Sequence, residues 1–171
     1  MLRYLVLCLV SFLTVLSAPS AFAATKAAVF PFDMRDVEQE GEIVPQYKTE
    51  DLRRLKVIAD ELRSLLQKDG RYELVDLTPY ASEIEMAAPL NKCDGCETVI
   101  AQKAGADIAV TGFVDKWSDA MISIQLFVRD VQSGKVTRAM SAEVRGNTDE
   151  LWLHGLRWLW RNRFNAEETK N

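Results

Sequence analysis

The chain has 171 residues and a formal charge of −4, with 48% hydrophobic and 27% charged residues. That length suits one domain with a real core and is short for two. The mildly acidic balance carries no electrostatic footprint for nucleic acid, and there is no repeat or low-complexity tract.

The first 23 residues read as a secretory signal peptide. Arg3 gives the positive start, and an apolar run extends from Tyr4 to Leu16. Ser17-Ala18-Pro19-Ser20 breaks the run, and Ala21-Phe22-Ala23 offers the small-x-small site, so cleavage is expected between Ala23 and Ala24. The run is shorter than the roughly 20 residues a bilayer requires, and no later segment is long and apolar enough to span one. Cys8 lies inside the run, far from the cleavage point, which argues against a lipoprotein. The expected product is a periplasmic chain of residues 24–171 with no integral membrane segment, folded as a single globular α/β domain.

Lys26 to Asp33 reads as a first strand, ended by Pro31 and the acidic Asp33. Met34 to Lys48 carries Gly41, Pro45 and many charges and reads as a long surface loop. Thr49 is placed to cap a helix with Glu50 and Asp51 in its first turn, where negative charge suits the dipole. Leu52, Leu55, Ile58, Leu62, Leu65 and Leu66 recur at helical spacing until Gly70. Arg71 to Leu77 is the second strand, and a strand–helix–strand order implies a parallel pair. Thr78-Pro79 opens a second helix to about Ala88. Asp94 and Glu97 resemble a capping box for a third helix ending near Gly105.

Three strand-like runs follow: Asp107 to Trp117, Met121 to Asp130 and Lys135 to Arg145. In the middle run Ile122, Ile124, Leu126 and Val128 alternate with Ser123, Gln125, Phe127 and Arg129. One face should therefore be fully buried and the other partly. A last helix runs from about Asp149 to Arg163, with Thr148 as its cap. The order is β-α-β-α-α-β-β-β-α, an α+β fold with helices packed on one mixed sheet of about five strands.

Cys93 and Cys96 are the cysteines left after processing, and in an oxidising compartment they are expected to form a disulfide. So tight a loop contributes on the order of 2 kcal/mol by chain entropy. A redox pair is the alternative, because Cys96 sits near a helix start, although Asp94 and Glu97 oppose a low thiol pKa. A zinc site would need Cys93, Cys96, the single histidine His154 and a carboxylate to converge, so no metal is expected. A catalytic triad would also rest wholly on His154, and no Gly-rich phosphate loop is present. No cofactor is expected, and the residues lean away from an enzyme.

In the last helix Trp152, Leu153, Leu156, Leu159, Trp160 and Phe164 share a broad arc that should face the sheet. His154, Arg157 and Arg161 fall opposite. Leu151 and Trp158 lie outside the arc, so Trp158 is either covered by the Met34–Lys48 loop or offered to a partner.

The runs CDGCETVIAQKAGADIAVTGFVDKWSD and RGNTDELWLHGLRWL resemble an uncharacterised family of bacterial periplasmic proteins. Its pattern is matched here by Cys93, Cys96, Gly105, Ala106, Asp107, Lys116, Ser118, Arg145, Gly146, Asn147, Thr148 and Asp149. It departs at Leu151, where that family has Ser, and at His154, where it has Arg. More distantly, VFPF, the amphipathic helix, AGADIAVTGFV and DVQSGKV are similar to the amino-terminal domain of the Tol system propeller protein. The same plan recurs in envelope lipoproteins that activate cell-wall synthases or form the curli secretion channel. The first resemblance brings no known activity with it; the second, a fold-level likeness, implies a protein-binding module.

The sequence thus points to a periplasmic, non-catalytic module docking an envelope protein. Its candidate surface is the Lys116-Trp117-Ser118 turn, the junction of Arg145, Asn147, Thr148 and Asp149, and Trp158. Lys116 and Arg145 are candidate donors to a partner's carboxylate or phosphate, against a structural reading in which Lys116 is solvated and Arg145 pairs with Asp149. The alternatives are a thiol–disulfide protein using Cys93 and Cys96, or a small-ligand sensor with its pocket under the Met34–Lys48 loop.

Overall fold

The computed structural model describes residues 23–42 and 46–166. Most of the expected signal peptide, residues 1–22, lies outside the described residues. The elements are β1 (Thr25–Asp36), α1 (Thr49–Asp69), β2 (Tyr72–Leu74), α2 (Ala81–Ala87), α3 (Cys96–Lys103), β3 (Ile108–Ser118), β4 (Met121–Asp130), β5 (Val136–Arg145) and α4 (Asp149–Leu159). They form a five-stranded mixed sheet in the order β2-β1-β3-β4-β5, so the expected fold class and element order hold. β1 pairs parallel with β2 and β3, and β3, β4 and β5 continue as an antiparallel meander.

The first strand corrects the sequence reading. β1 passes through Pro31 and runs on to Asp36. The register with β3 shifts between Val29 and Phe32, and that irregularity accommodates a residue without an N–H. Beyond it Phe32, Met34 and Asp36 are buried, while Arg35 is exposed. The expected long loop is correspondingly shorter and begins with a 3₁₀ turn over Val37–Gln39. β2 is shorter than expected, because the Asp76 carboxylate takes the Thr78 amide at 2.8 Å and turns the chain into the Thr78–Tyr80 turn before α2.

Two expected caps differ. Lys48, without a side-chain capping bond, is the N-cap of α1, and Thr49 is the first helical residue. Gly95 caps α3 in place of Asp94, and Glu97 is buried with its Oε1 accepting from Arg129 Nε at 2.7 Å. A buried carboxylate facing a guanidinium serves that pair and not the helix end. Gly70, at φ +77°, ends α1 as expected, and Thr148 caps α4 through Leu151 N.

Helices α1 and α4 cover one face of the sheet. Leu55, Ile58, Leu62, Trp152, Leu156 and Leu159 meet Val110, Val114, Ile122, Ile124, Leu126 and Val144 there. Helices α2 and α3 cover β1 on the other face, where Ile84, Ile100 and Ala101 pack on Ala28 and Phe30. Ser123, Gln125, Phe127 and Arg129 of β4 are only half-buried, as the alternation implied. α4 closes in a π turn over Trp160–Phe164, which stacks those two rings at 4.8 Å.

Gly112 sits against the Phe32 ring, so closely that a Cβ there would lie 2.2 Å from Phe32 Cε1. Gly112→Ala must displace a buried ring between paired strands, and we expect it to cost about 1–3 kcal/mol of stability. Thermal or urea unfolding of the variant checks this.

Candidate functional site

The Arg-Gly-Asn-Thr-Asp run and the Lys-x-Ser turn come together at the end of the sheet where β1 and β3 finish. Lys116 of β3 is in register with Asp36 of β1, and both side chains enter the layer beneath α1. The Lys116 side chain is 0% exposed. Its ammonium lies 2.8 Å from Asp51 Oδ2, 3.0 Å from Asp119 Oδ1 and 3.2 Å from Asp36 Oδ2. Asp51 comes from the first turn of α1, and Asp119 from the turn between β3 and β4.

Asn147 completes the cluster from the junction between β5 and α4. Its Nδ2 donates to Asp51 Oδ1 and Asp119 Oδ1, both at 3.0 Å. Its Oδ1 accepts from Arg54 Nη1 at 3.1 Å and from Trp152 Nε1 at 2.9 Å. All four hydrogen-bonding positions of the amide are filled, which fixes its orientation. Arg54 also donates to Asp51 Oδ1 at 2.7 Å and to Asp149 Oδ1 at 3.0 Å. Arg53 donates to both Asp149 oxygens, and Lys48 to Asp119 Oδ2 at 2.7 Å. Lys48, Arg53, Arg54 and Lys116 thus balance Asp36, Asp51, Asp119 and Asp149.

The protonation states follow from this geometry. Burial opposes the charge on Lys116, but its hydrogen bonds to three carboxylates outweigh it and raise its pKa. Burial pushes Asp51 up, and its bonds to Lys116, Asn147 and Arg54 pull it lower overall. The Lys48 ammonium, with Lys116 and Asn147, holds Asp119 well below the usual carboxylate range. Arg53 and Arg54 lower Asp149.

Lys116 is therefore engaged inside the protein and presents no ammonium to a partner, nor is it solvated. Asn147 and Asp149 are held in the same cluster, with Asp149 paired to Arg53 and Arg54 and not to Arg145. Arg145, Trp117, Thr148 and Trp158 are exposed, with Trp117 at 50% and Trp158 at 37%. Ser118 is half-buried and accepts from the Ala120 amide at 3.1 Å. The guanidinium of Arg145 has no hydrogen-bond or ion-pair partner among the described residues.

Ser118 of β3, Met121 of β4 and Arg145 of β5 are in register, and the exposed Trp117 stands just before Ser118, where the register of β3 with β4 shifts. Arg145 also lines a groove of about 370 Å³ with Glu143, Leu151, His154 and Trp158. Trp158 thus faces the rim of β5, and among the described residues none of the 37–48 segment lines its groove.

Cys93 and Cys96 lie at disulfide distance, with Cα atoms 5.5 Å apart. The Glu97 carboxylate joins them in a group of possible metal donors within 4.8 Å, which does not include His154 among the described residues. With the sulfurs bonded to one another, they are not free as ligands. A hollow of about 680 Å³ has Gln39, Glu40, Glu42 and Tyr47 in its wall.

The residues missed in the sequence are Asp36, Asp51, Arg53, Arg54 and Asp119. Two of them carry a legible signal. Lys116 shares the inward parity of Val110 and Val114 on β3, and Asp51 precedes Leu55, Ile58 and Leu62 on the apolar stripe of α1. A charge at an inward position needs a partner, so these two called for each other.

A mixed sheet, covered on one face and half-covered on the other, with a buried cation cluster at its end, defines a small α+β module. Residues 25–164 match the family model described as "Protein of unknown function (DUF2380)", and the chain belongs to that family. A search of curated proteins found no match. Among solved structures it is similar to the LpoB C-terminal domain from Escherichia coli, with 16% identity, a TM-score of 0.51 and coverage of 75% of this chain and 88% of that one. Lipoprotein GNA1162 from Neisseria meningitidis is similar at 17% identity and a TM-score of 0.50, over 84% of this chain and 98% of that one. TolB from Acinetobacter baumannii matches at 18% identity and a TM-score of 0.40, over 81% of this chain and 28% of that one. At these identities the likeness is one of fold alone. Among the described residues, no helix is long and apolar enough to cross a membrane.

Replacing Lys116 by Met leaves buried carboxylates facing one another. We expect Lys116→Met to cost about 3–5 kcal/mol, read by denaturant unfolding. The same cluster sets a pH window. Asp51 and Asp119 stabilise the fold above the ordinary carboxylate value of 3.8 and lose that contribution as acid titrates the folded state. Lys116 contributes below its ordinary 10.5 and loses it only when base titrates the raised folded value. Melting temperatures should therefore be flat from roughly pH 5 to pH 9 and fall below about pH 4.

Proposed function

We propose that this chain is an exported, non-catalytic docking module of the bacterial envelope, acting in the periplasm by binding another envelope protein. The observation that carries the reading is the set of exposed side chains at one end of the sheet, Trp117, Met121 and Arg145, continued round β5 to Trp158. Trp, Met and Arg are the residues enriched at protein interfaces, and Trp and Arg at hot spots. The fold likeness to the LpoB C-terminal domain and to lipoprotein GNA1162 supports an envelope setting. The leader expected from Met1 to Ala23 supports export.

In this reading Lys116 and Asn147 do not touch the partner. They hold the ends of β3 and β5 in register, and Trp117 and Arg145 are presented on the opposite face of those strands. Ser118 and Thr148 shape the two turns at the rim. Arg145 contributes a guanidinium to a carboxylate of the partner. The Cys93–Cys96 pair staples the entry to α3.

The test is capture of partners from periplasmic extract by the exported chain, beside Trp117→Ala, Arg145→Ala and Trp158→Ala. Each variant should lose the partner held by the unmodified chain while its stability stays within about 1 kcal/mol. A variant with Cys93→Ser and Cys96→Ser should keep that partner. Capture unaffected by the three surface changes, or lost only without the cysteines while the chain stays folded, contradicts the reading.

A further inference from the structure

β2 is short, and this leaves part of the sheet open. It pairs with β1 only at Thr25, Lys26 and Ala27, after which the Val75 amide closes on the Ala27 carbonyl. From Ala28 onward β1 has no strand on that side among the described residues, although it pairs with β3 as far as Asp36. An unpaired strand edge is a template for another extended chain, here with Pro31 offering only its carbonyl and the strand irregular between Val29 and Phe32. Side-chain donors occupy two points along β1. Arg63 Nη2 donates to the Val29 carbonyl at 3.2 Å, and the Tyr47 hydroxyl to the Met34 carbonyl at 3.0 Å.

A cavity of about 490 Å³ opens beside this edge, between Arg63 of α1 and Ile84 of α2. Val29, Leu74, Leu77 and Leu90 make much of its apolar wall. It meets the hollow walled by Gln39, Glu40 and Tyr47 at Asp33 and Ala88, and the two together follow β1 toward Tyr47. The stretch from Ala28 to Met34 is roughly 20 Å long at about 3.3 Å per residue, which fits an extended peptide better than a compact molecule.

Charge selects the kind of peptide. Asp33, Asp76 and Glu85 line the first cavity, and its one lining cation, Arg63, is already held by Asp60 at 2.8 Å and by the Val29 carbonyl. Asp33 accepts the Leu90 amide on Oδ2 at 2.6 Å. Burial pushes its pKa up, as for a carboxylate short of a cation. The adjoining hollow is mixed in charge: Asp36 and Glu40 are paired to Lys116 and Arg35, and Glu42 and Lys92 also line it, so the selection for a cation rests on the first cavity.

The geometry points to a peptide-binding groove in which an extended partner segment adds to the free edge of β1 and sets a lysine or arginine against Asp33. Main-chain bonds to β1 supply the strand addition, and the apolar wall takes alternate side chains. The groove shares no residue with the surface of Trp117, Met121, Arg145 and Trp158, so it stands or falls separately from the docking reading.

The test uses the exported chain with three labelled probes: an acetylated, amidated Val-Lys-Val-Lys-Val-Lys peptide, its glutamate counterpart, and the lysine peptide with N-methylated valines. Fluorescence anisotropy gives affinity, and amide exchange locates the contact. The lysine peptide should bind about tenfold or more tightly than either control and slow exchange between Phe32 and Met34. Asp33→Asn keeps an acceptor for Leu90 and should weaken that peptide about fivefold at an unchanged melting temperature. Failure of the lysine peptide to bind, equal binding of the glutamate or N-methylated peptide, or protection elsewhere than β1 would overturn the proposal. So would equal protection by n-butylamine, which would make the cavity a small-cation pocket with no strand addition.

Discussion

The end of the sheet depends on one buried ammonium. Lys116 Nζ holds carboxylates from three separate places in the chain: the end of β1, the first turn of α1 and the turn after β3. Removing such a charge from water costs several kcal/mol, and only closely placed opposite charges recover it. Lys116, Asp36 and Asp51 have no low-energy position inside without one another, and the half-exposed Asp119 closes the cluster, so they fix the relation of β1, α1 and β3 together. This constraint explains why β1 continues past Pro31. Its last residue, Asp36, has to arrive beside Lys116.

Asn147 carries the same constraint to the last third of the molecule. Its amide joins Asp51 and Asp119 to Arg54 and to the indole of Trp152, a fully buried residue of α4. The seating of α4 on the sheet is thereby coupled to the cluster, as is the path of β5 into Gly146. Gly155 lets α4 come close, since a Cβ there would lie 2.5 Å from Val144 Cγ2. The residues that give the sequence pattern its most specific run are largely structural, and the neighbouring exposed side chains, Trp117 and Arg145, are left to meet a partner.

Periodicity made most of the fold legible, because burial on one stripe of α1 and α4 and on alternate positions of β4 leaves a direct trace in residue type. The boundaries of β1 and β2 were not legible. Pro31 looks like a stop unless the extra residue beside it is known, and the turn after Leu74 rests on a local bond of Asp76. The site was half legible. Asn147, Asp149 and Lys116 stood out, but their partners lie about 30 to 100 positions away or are ordinary surface-type residues in the sequence, as Asp119 and Arg53 are. Reading Lys116 as a surface donor missed the parity it shares with Val114.

The central claim is that Lys116 and Asp51 act as one unit, and a double-mutant cycle tests it most directly. Unfolding free energies would be measured for the parent, Lys116→Met, Asp51→Leu and the double variant. The account predicts a coupling energy above about 2 kcal/mol, with the double variant recovering much of the loss of either single change. Additivity within about 0.5 kcal/mol would mean that the two side chains contribute independently, and the cluster could not then be the constraint that sets the end of the sheet.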